Sequence, residues 1–330
     1  MKRCTNCVLP ETFPGITFND DGVCNSCLAF KGQEHLQQTK QRYEQKFEDL
    51  VNEYKNQSSY DCLMAYSGGK DSTFTLTVLK EKYGLNILAI TFDNGFISPV
   101  ALRNIGKVVE NLDVDHIIMK PRFDILKKIF IESGNNGLYS QKTLARASTI
   151  CTTCVGLVKF ISLKIALEKH IPFITYGWSP GQAPLSASIF KNNPTMLKQM
   201  QESIQKPLQN IVGKKINNYF LDRNDFENNN NFPYNISPLA FLEYDEATIY
   251  KRIKELGWQS PGDTGANSTN CLLNALGNVI HKERYGFHPY ASELSKLVRE
   301  GYLSREIALL KLETPEDPLL VKMVEQKLYS

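Results

Sequence analysis

The run DCLMAYSGGKDSTFTLTVLKEKYG, residues 61–84, constrains the fold more than any other part of the chain. A short apolar stretch meets a Gly-Gly pair and passes straight into a helical pattern closed by Gly84. At such a junction Gly68 and Gly69 let backbone amides approach an anion with no Cβ in the way. The helix that follows adds its positive end and its unpaired N–H groups. Ser67, Ser72 and Thr73 supply hydroxyls, Lys70 a point charge and Asp71 a carboxylate. The string predicts a phosphate site. The plainer alternative is a capped strand-to-helix turn with Asp71 or Ser72 as the cap. The spacing is not that of the Walker A loop, whose glycines stand four residues apart.

The surrounding pattern supports a sheet with helices on its faces. NILAITFDNG reads as a second strand, PVALRNIGKVVENL as a helix, and VDHIIMK as a third strand. Residues 155–170 read as a helix and 171–178 as a fourth strand. Strands alternating with helices of this length predict an α/β fold with a doubly wound parallel sheet. The chain then divides into a cysteine-bearing head (1–30), a helical linker (31–57), the nucleotide domain (58–180), an insertion (181–236) and a helical C-terminal region (237–330) that completes the active site. The Asn-rich stretch DRNDFENNNNFPYNISP marks the insertion as a mobile surface segment, a candidate lid.

The eight cysteines carry more chemistry than the overall charge, a formal +3 that does not by itself indicate a nucleic-acid partner. Cys4-x2-Cys7 and Cys24-x2-Cys27, sixteen residues apart, form a four-thiolate zinc pattern, closed and therefore structural. Cys151-x2-Cys154 precedes a helical run, and Cys271 follows the polar turn GDTGANSTN. Both settings favour thiolates. Cys62 lies in the apolar strand and is expected to pack. Arg284, His288 and Arg305 are candidate substrate contacts, with a solvated helix face as the alternative. No apolar stretch is read as approaching the roughly 18 residues of a bilayer span. The start shows no secretory pattern. A cytoplasmic protein with no membrane partner is expected.

Ser67, Gly68, Gly69, Lys70, Asp71 and Ser72 resemble the SGGxDS signature of the PP-loop ATP pyrophosphatases, with residues 58–180 covering the family's sheet. The resemblance implies a HUP-type, Rossmann-like fold, ATP and Mg²⁺ as cofactors, and pyrophosphate held by the loop. It implies adenylation of a carbonyl, amide or carboxylate oxygen, after which sulfur or nitrogen displaces AMP. Asp93, at the end of the second strand, and Gly177, closing the fourth, fall where such enzymes contact the nucleotide. The head, CVLPETFPGITFNDDGVCNSC, resembles the N-acetyl sugar amidotransferase group. Cys151, Cys154 and Cys271 follow the order of the two-thiouridine group, whose three thiolates bind a [4Fe-4S] cluster with one open iron.

Three functions follow. The first is a sulfurtransferase, working through a cluster or through a persulfide with a resolving thiol. The second is an ammonia-dependent amidotransferase fed by a separate glutaminase. The third is a nucleotide-binding regulator without turnover. A small or carrier-bound acceptor is favoured, with tRNA open as an alternative. A sulfur donor or glutaminase is the expected partner, and a homodimer is compatible with the chain.

Overall fold

The computed structural model describes residues 1–227 and 231–330. Six strands form one sheet: β1 (Cys62–Ala65), β2 (Ile87–Phe92), β3 (Asp115–Met119), β4 (Phe173–Tyr176), β5 (Ile189–Lys191) and β6 (Tyr234–Ile236). Their order is β3-β2-β1-β4-β6-β5. All neighbouring pairs are parallel except β5 with β6, so the expected parallel sheet carries one antiparallel edge. The order reverses between β1 and β4, and open sheets of this kind place a ligand at such a point, beyond the carboxyl ends of the strands.

Strand periodicity sorts the two faces. Leu63, Leu88, Ile90 and Ile174 point to one side, against the helices Phe123–Asn135, Thr149–Glu168 and Pro194–Val212. Cys62, Met64, Ile87, Ala89 and Phe173 point to the other, against Gln33–Tyr54, Lys70–Glu81, Pro99–Asn111 and Glu246–Glu255. Successive side chains of a strand alternate in this way, so a run buried on both faces reads as continuously apolar. Cys62 packs as expected, with no exposed surface.

The stretch 181–236, expected as an insertion, supplies β5 and β6 to this sheet, and β6 pairs directly with β4. It therefore belongs to the sheet. Three residues per strand is too short for a periodic signal, and the polar text around them hid both. The centre of the expected lid, residues 228–230, lies outside the described residues. The Thr149–Glu168 helix also departs from expectation. By length and composition it could cross a membrane, yet 61% of its most apolar window is buried inside the fold. It starts six residues earlier than its periodicity indicated, so Cys151 and Cys154 lie within its first turns.

The head forms a third core with Phe287, Ala291, Leu294, Ala308 and Leu312. Arg305 clamps it: Nε donates to the Cys7 carbonyl at 3.0 Å and Nη2 to the Cys4 carbonyl at 3.1 Å. Thr12 Oγ1 donates to the Gly286 carbonyl at 2.8 Å. Arg305 is thus a structural contact of the head. Arg305→Ala should leave the sheet folded and expose the head. Limited proteolysis is expected to cut within residues 1–57 several-fold faster in this variant, at an unchanged rate in the sheet; an unchanged rate at the head would contradict the clamp.

Candidate functional site

The phosphate loop follows β1 at the point where the strand order reverses. Gly68 has φ +74°, and a Cβ there would press on the Ile105 side chain at 2.6 Å. A Cβ on Gly177 would fall on the backbone of Ser72, so the end of β4 rests directly on the start of the loop helix. Trp258 is 1% exposed and donates its indole N–H to the Gly68 carbonyl at 3.0 Å, fixing the turn from behind. The Ser67 and Ser72 hydroxyls are 3.0 Å apart, and Tyr66 OH meets Thr73 Oγ1 at 3.2 Å. No side chain caps the helix at Gly69, which leaves the amides of its first turn facing the crevice. One of them, the Lys70 N–H, donates to Thr269 Oγ1 at 3.0 Å.

Lys70 is buried and already has acidic partners. Its ammonium is held by Glu246 Oε1 at 2.6 Å, Tyr244 OH at 2.9 Å and Asp71 Oδ1 at 3.3 Å. Tyr244 OH in turn donates to Asp71 Oδ1 at 3.0 Å. Burial pushes the Lys70 ammonium down, but Asp71, Tyr244 and Glu246 outweigh it and hold the group above the ordinary lysine range. The physical reason is its 7% exposure: a buried ammonium requires acidic partners, and the segment 244–246 supplies them. The expected phosphate contact thus has the geometry of an anchor between the loop and the C-terminal region. Asp93 is occupied as well. Its Oδ1 accepts the Gly95 N–H at 2.8 Å, and its Oδ2 lies 3.1 Å from Lys120 Nζ.

The three cysteines converge. Asn94, two residues beyond β2, points its Nδ2 at Cys154 Sγ (3.7 Å) and Cys271 Sγ (3.6 Å). Asn274 Nδ2 donates to Cys151 Sγ at 3.6 Å. Ser148 caps the cysteine-bearing helix by accepting the Cys151 N–H at 3.2 Å. Cys271 is placed by backbone pairing: it bridges Ile97, Leu272 N–H donates to Phe96 O at 2.9 Å, and Ser98 N–H donates to Asn270 O at 2.9 Å. Its neighbour Thr269 is the residue that meets the Lys70 N–H, so the Cys271 segment passes over the phosphate loop. Burial pushes all three thiols up: Cys271 to about 11, with Cys151 adding to the rise, and Cys154 further, with Cys271 and Cys151 adding. All three side chains are half-buried, and the upward shifts mean that the neutral thiol is favoured over the thiolate in these surroundings. A bound cation would supply the missing charge.

The four head sulfurs are arranged differently. Cys4 and Cys27 are 3.8 Å apart, Cys7 and Cys24 3.7 Å, and all four lie within 4.8 Å of one another. A tetrahedron with metal–sulfur bonds of about 2.3 Å has edges of about 3.8 Å, so the set fits one four-coordinate ion. Cys151, Cys154 and Cys271 are not drawn into so tight a set among the described residues.

The remaining sequence candidates take structural places. Arg284 donates to the Gly134 carbonyl. His288 Nδ1 accepts the Tyr290 N–H at 3.2 Å, and burial, with Lys282 nearby, pulls the imidazole down to about 3. Sequence reasoning missed Asn94, Asn274, Thr269, Tyr244 and Glu246, although TFDNG and GDTGANSTNC had already marked two of the segments. It also missed Glu293, whose Oε1 accepts from Ser179 Oγ at 2.7 Å.

No protein-family model matches the chain. A relative, an uncharacterised protein of Methanocaldococcus jannaschii, is 27% identical over 320 residues, spanning 96% of this chain and 95% of that one. Among solved structures, the chain is similar to the U34-tRNA thiolase NcsA of Methanococcus maripaludis with its [4Fe-4S] cluster, at 16% identity and a TM-score of 0.39, covering 100% of this chain and 89% of that one. It is also similar to the NH3-dependent NAD synthetase of Campylobacter jejuni, at 15% identity and a TM-score of 0.35, covering 89% and 93%. The NMN synthetase of Francisella tularensis is a third, at 14% identity and 0.35, covering 84% and 98%. Scores this low leave the functional reading to the site's own geometry.

Burial raises Glu293 from 4.5 to about 7, with Ser179 opposing and the Asp71 charge adding. The folded state therefore keeps a proton that the unfolded chain releases, and stability falls as pH rises from about 4.5 through 7. Glu293→Gln removes this dependence. Melting temperatures should shift in favour of the variant between about pH 5 and pH 8; a shift in favour of the wild type would contradict the burial of a protonated carboxyl.

Proposed function

We propose that the chain is a PP-loop ATP pyrophosphatase that adenylates a carbonyl or amide oxygen and replaces that oxygen with sulfur. The observation carrying this reading is the shared contact of Cys154 and Cys271 with Asn94, on a segment that hydrogen-bonds the phosphate loop two residues before Cys271. Activation and sulfur delivery would then occur within one crevice.

ATP would lie with its β and γ phosphates on the loop amides, with Mg²⁺ on Asp71, the carboxylate nearest the loop. The acceptor oxygen attacks the α phosphorus, the bond from that phosphorus to the bridging oxygen breaks, and pyrophosphate leaves with the electron pair. A sulfide nucleophile from an external donor then adds to the activated carbon. The carbon–oxygen bond breaks, AMP departs, and the product carries C=S in place of C=O. Charge growing on the phosphates is met by preorganised N–H groups at the helix start.

Cys151, Cys154 and Cys271 would hold a [4Fe-4S] group, which when bound offers one iron without a protein ligand for the incoming sulfide. Asn94 and Asn274 orient the three sulfurs through their amide N–H groups, the outer-shell role such donors play around metal ligands. The head thiolates Cys4, Cys7, Cys24 and Cys27 would hold one Zn²⁺, which contributes folding energy to a segment too small for a core of its own. A cytoplasmic setting and a small or carrier-bound acceptor remain part of this proposal.

Pyrophosphate release from ATP tests the first half-reaction and separates it from the second. Asp71→Ala should lose roughly 100- to 1,000-fold in release. Cys271→Ser should still release pyrophosphate while losing sulfur transfer. Near-normal release in Asp71→Ala would show that the loop is not the phosphate site, and full sulfur transfer by Cys271→Ser would remove the cysteines from the reaction.

A further inference from the structure

A second cavity, of about 210 Å³, lies between the cysteine-bearing helix, the Pro194–Val212 helix and the β4–β6–β5 edge of the sheet. It is joined to the phosphate loop through the chain itself. Gly177 packs on Ser72, and the next residue, Trp178, lines the cavity. Most of its wall is aromatic or aliphatic, with Tyr176 and Trp178 rings 5.6 Å apart, and Asn235 and Ser237 supply polar groups from β6 and the turn after it.

Two cations face this space and no carboxylate lines it. Lys159, two turns along the helix from Cys151, lies over the Trp178 ring with its ammonium 5.0 Å from the centroid. The ring holds the charge at the wall without neutralising it. Arg146 stands exposed at the rim. Among the described residues, neither has a carboxylate within 4.0 Å, whereas buried Lys70 has two. Burial, with Arg146 nearby, lowers the Lys159 ammonium below the ordinary lysine value, so an anion entering here would relieve a standing electrostatic cost.

We propose that this cavity takes the anionic end of a monocyclic acceptor, a phosphate or carboxylate lying between Lys159 and Arg146 and its ring lying against the Tyr176–Trp178 wall. The volume is below the usual range for drug-sized ligands and suits a single ring. The apolar wall accepts the ring, and Asn235 and Ser237 are placed to orient its polar edge. The word acceptor rests on the adenylation proposed above; anion binding does not.

Calorimetric titration of the full chain, with the phosphate loop saturated by a non-hydrolysable ATP analogue, tests this. The probes are phenyl phosphate, benzoate and neutral benzyl alcohol. At least one anion should bind more tightly than the alcohol; the tighter of the two identifies phosphate or carboxylate. Lys159→Gln should weaken that anion at least tenfold, and Arg146→Ala, at the exposed rim, about threefold. If Lys159→Gln fails to fold, the Arg146→Ala result decides. Equal binding of all three probes, no binding of either anion, loss of anion binding when the analogue is added, or unchanged affinity in both variants would each overturn the proposal. Failure of the analogue itself to bind would count against the adenylation reading, leaving the Lys159 and Arg146 dependence to decide the cavity.

Discussion

The pairing of residues 270–272 with residues 96–98 is the constraint on which the site depends. It carries a segment from the C-terminal third of the chain across the carboxyl end of β2. Cys271 is thereby set beside Cys154, and Thr269 against the first amide of the loop helix. Without it, the phosphate loop and the helix N-terminus bearing Cys151 and Cys154 would still form at the sheet edge. They would then be two separate features. A few backbone hydrogen bonds, each of modest net value of about 1 kcal/mol, thus bring the phosphate loop and the three cysteines together.

The loop is also fastened from its far side. Trp258 holds the Gly68 carbonyl, and Lys70 holds Tyr244 and Glu246. A buried lysine with two carboxylates and a phenol is costly to disturb from either side, since removing one charge strands the others. The loop and residues 244–246 are therefore linked through one side chain. Glu293, which accepts from Ser179 just beyond β4 and lies within range of the Asp71 charge, adds a group whose protonation follows the electrostatics of the same region.

Much of this was legible in the residues. The apolar strand, the Gly-Gly turn and the helix after it are local, and local signals are what a sequence displays: the loop helix runs Lys70–Glu81. The paired CxxC spacing likewise placed four sulfurs within 4.8 Å. What stayed hidden is non-local. β5 and β6 have three residues each, too few for a period of two to show, and they belong to the sheet only through partners distant in sequence. The sequence marked Lys70 for phosphate but could not show its contact with Glu246, which lies 176 positions away. Arg305 looked available to substrate for the same reason, its carbonyl partners being in the head. Asn94 lay inside a quoted motif, yet its role depends on two sulfurs that only the folded chain brings to it.

Metal content of protein purified without oxygen tests the central claim most directly. The account predicts about four iron atoms and one zinc per chain in the wild type. With Cys151, Cys154 and Cys271 all changed to serine, iron should be lost and zinc retained. A wild-type protein that takes up no iron under reconstitution would contradict the assignment of these three thiolates to a cluster. So would a triple variant that keeps its iron.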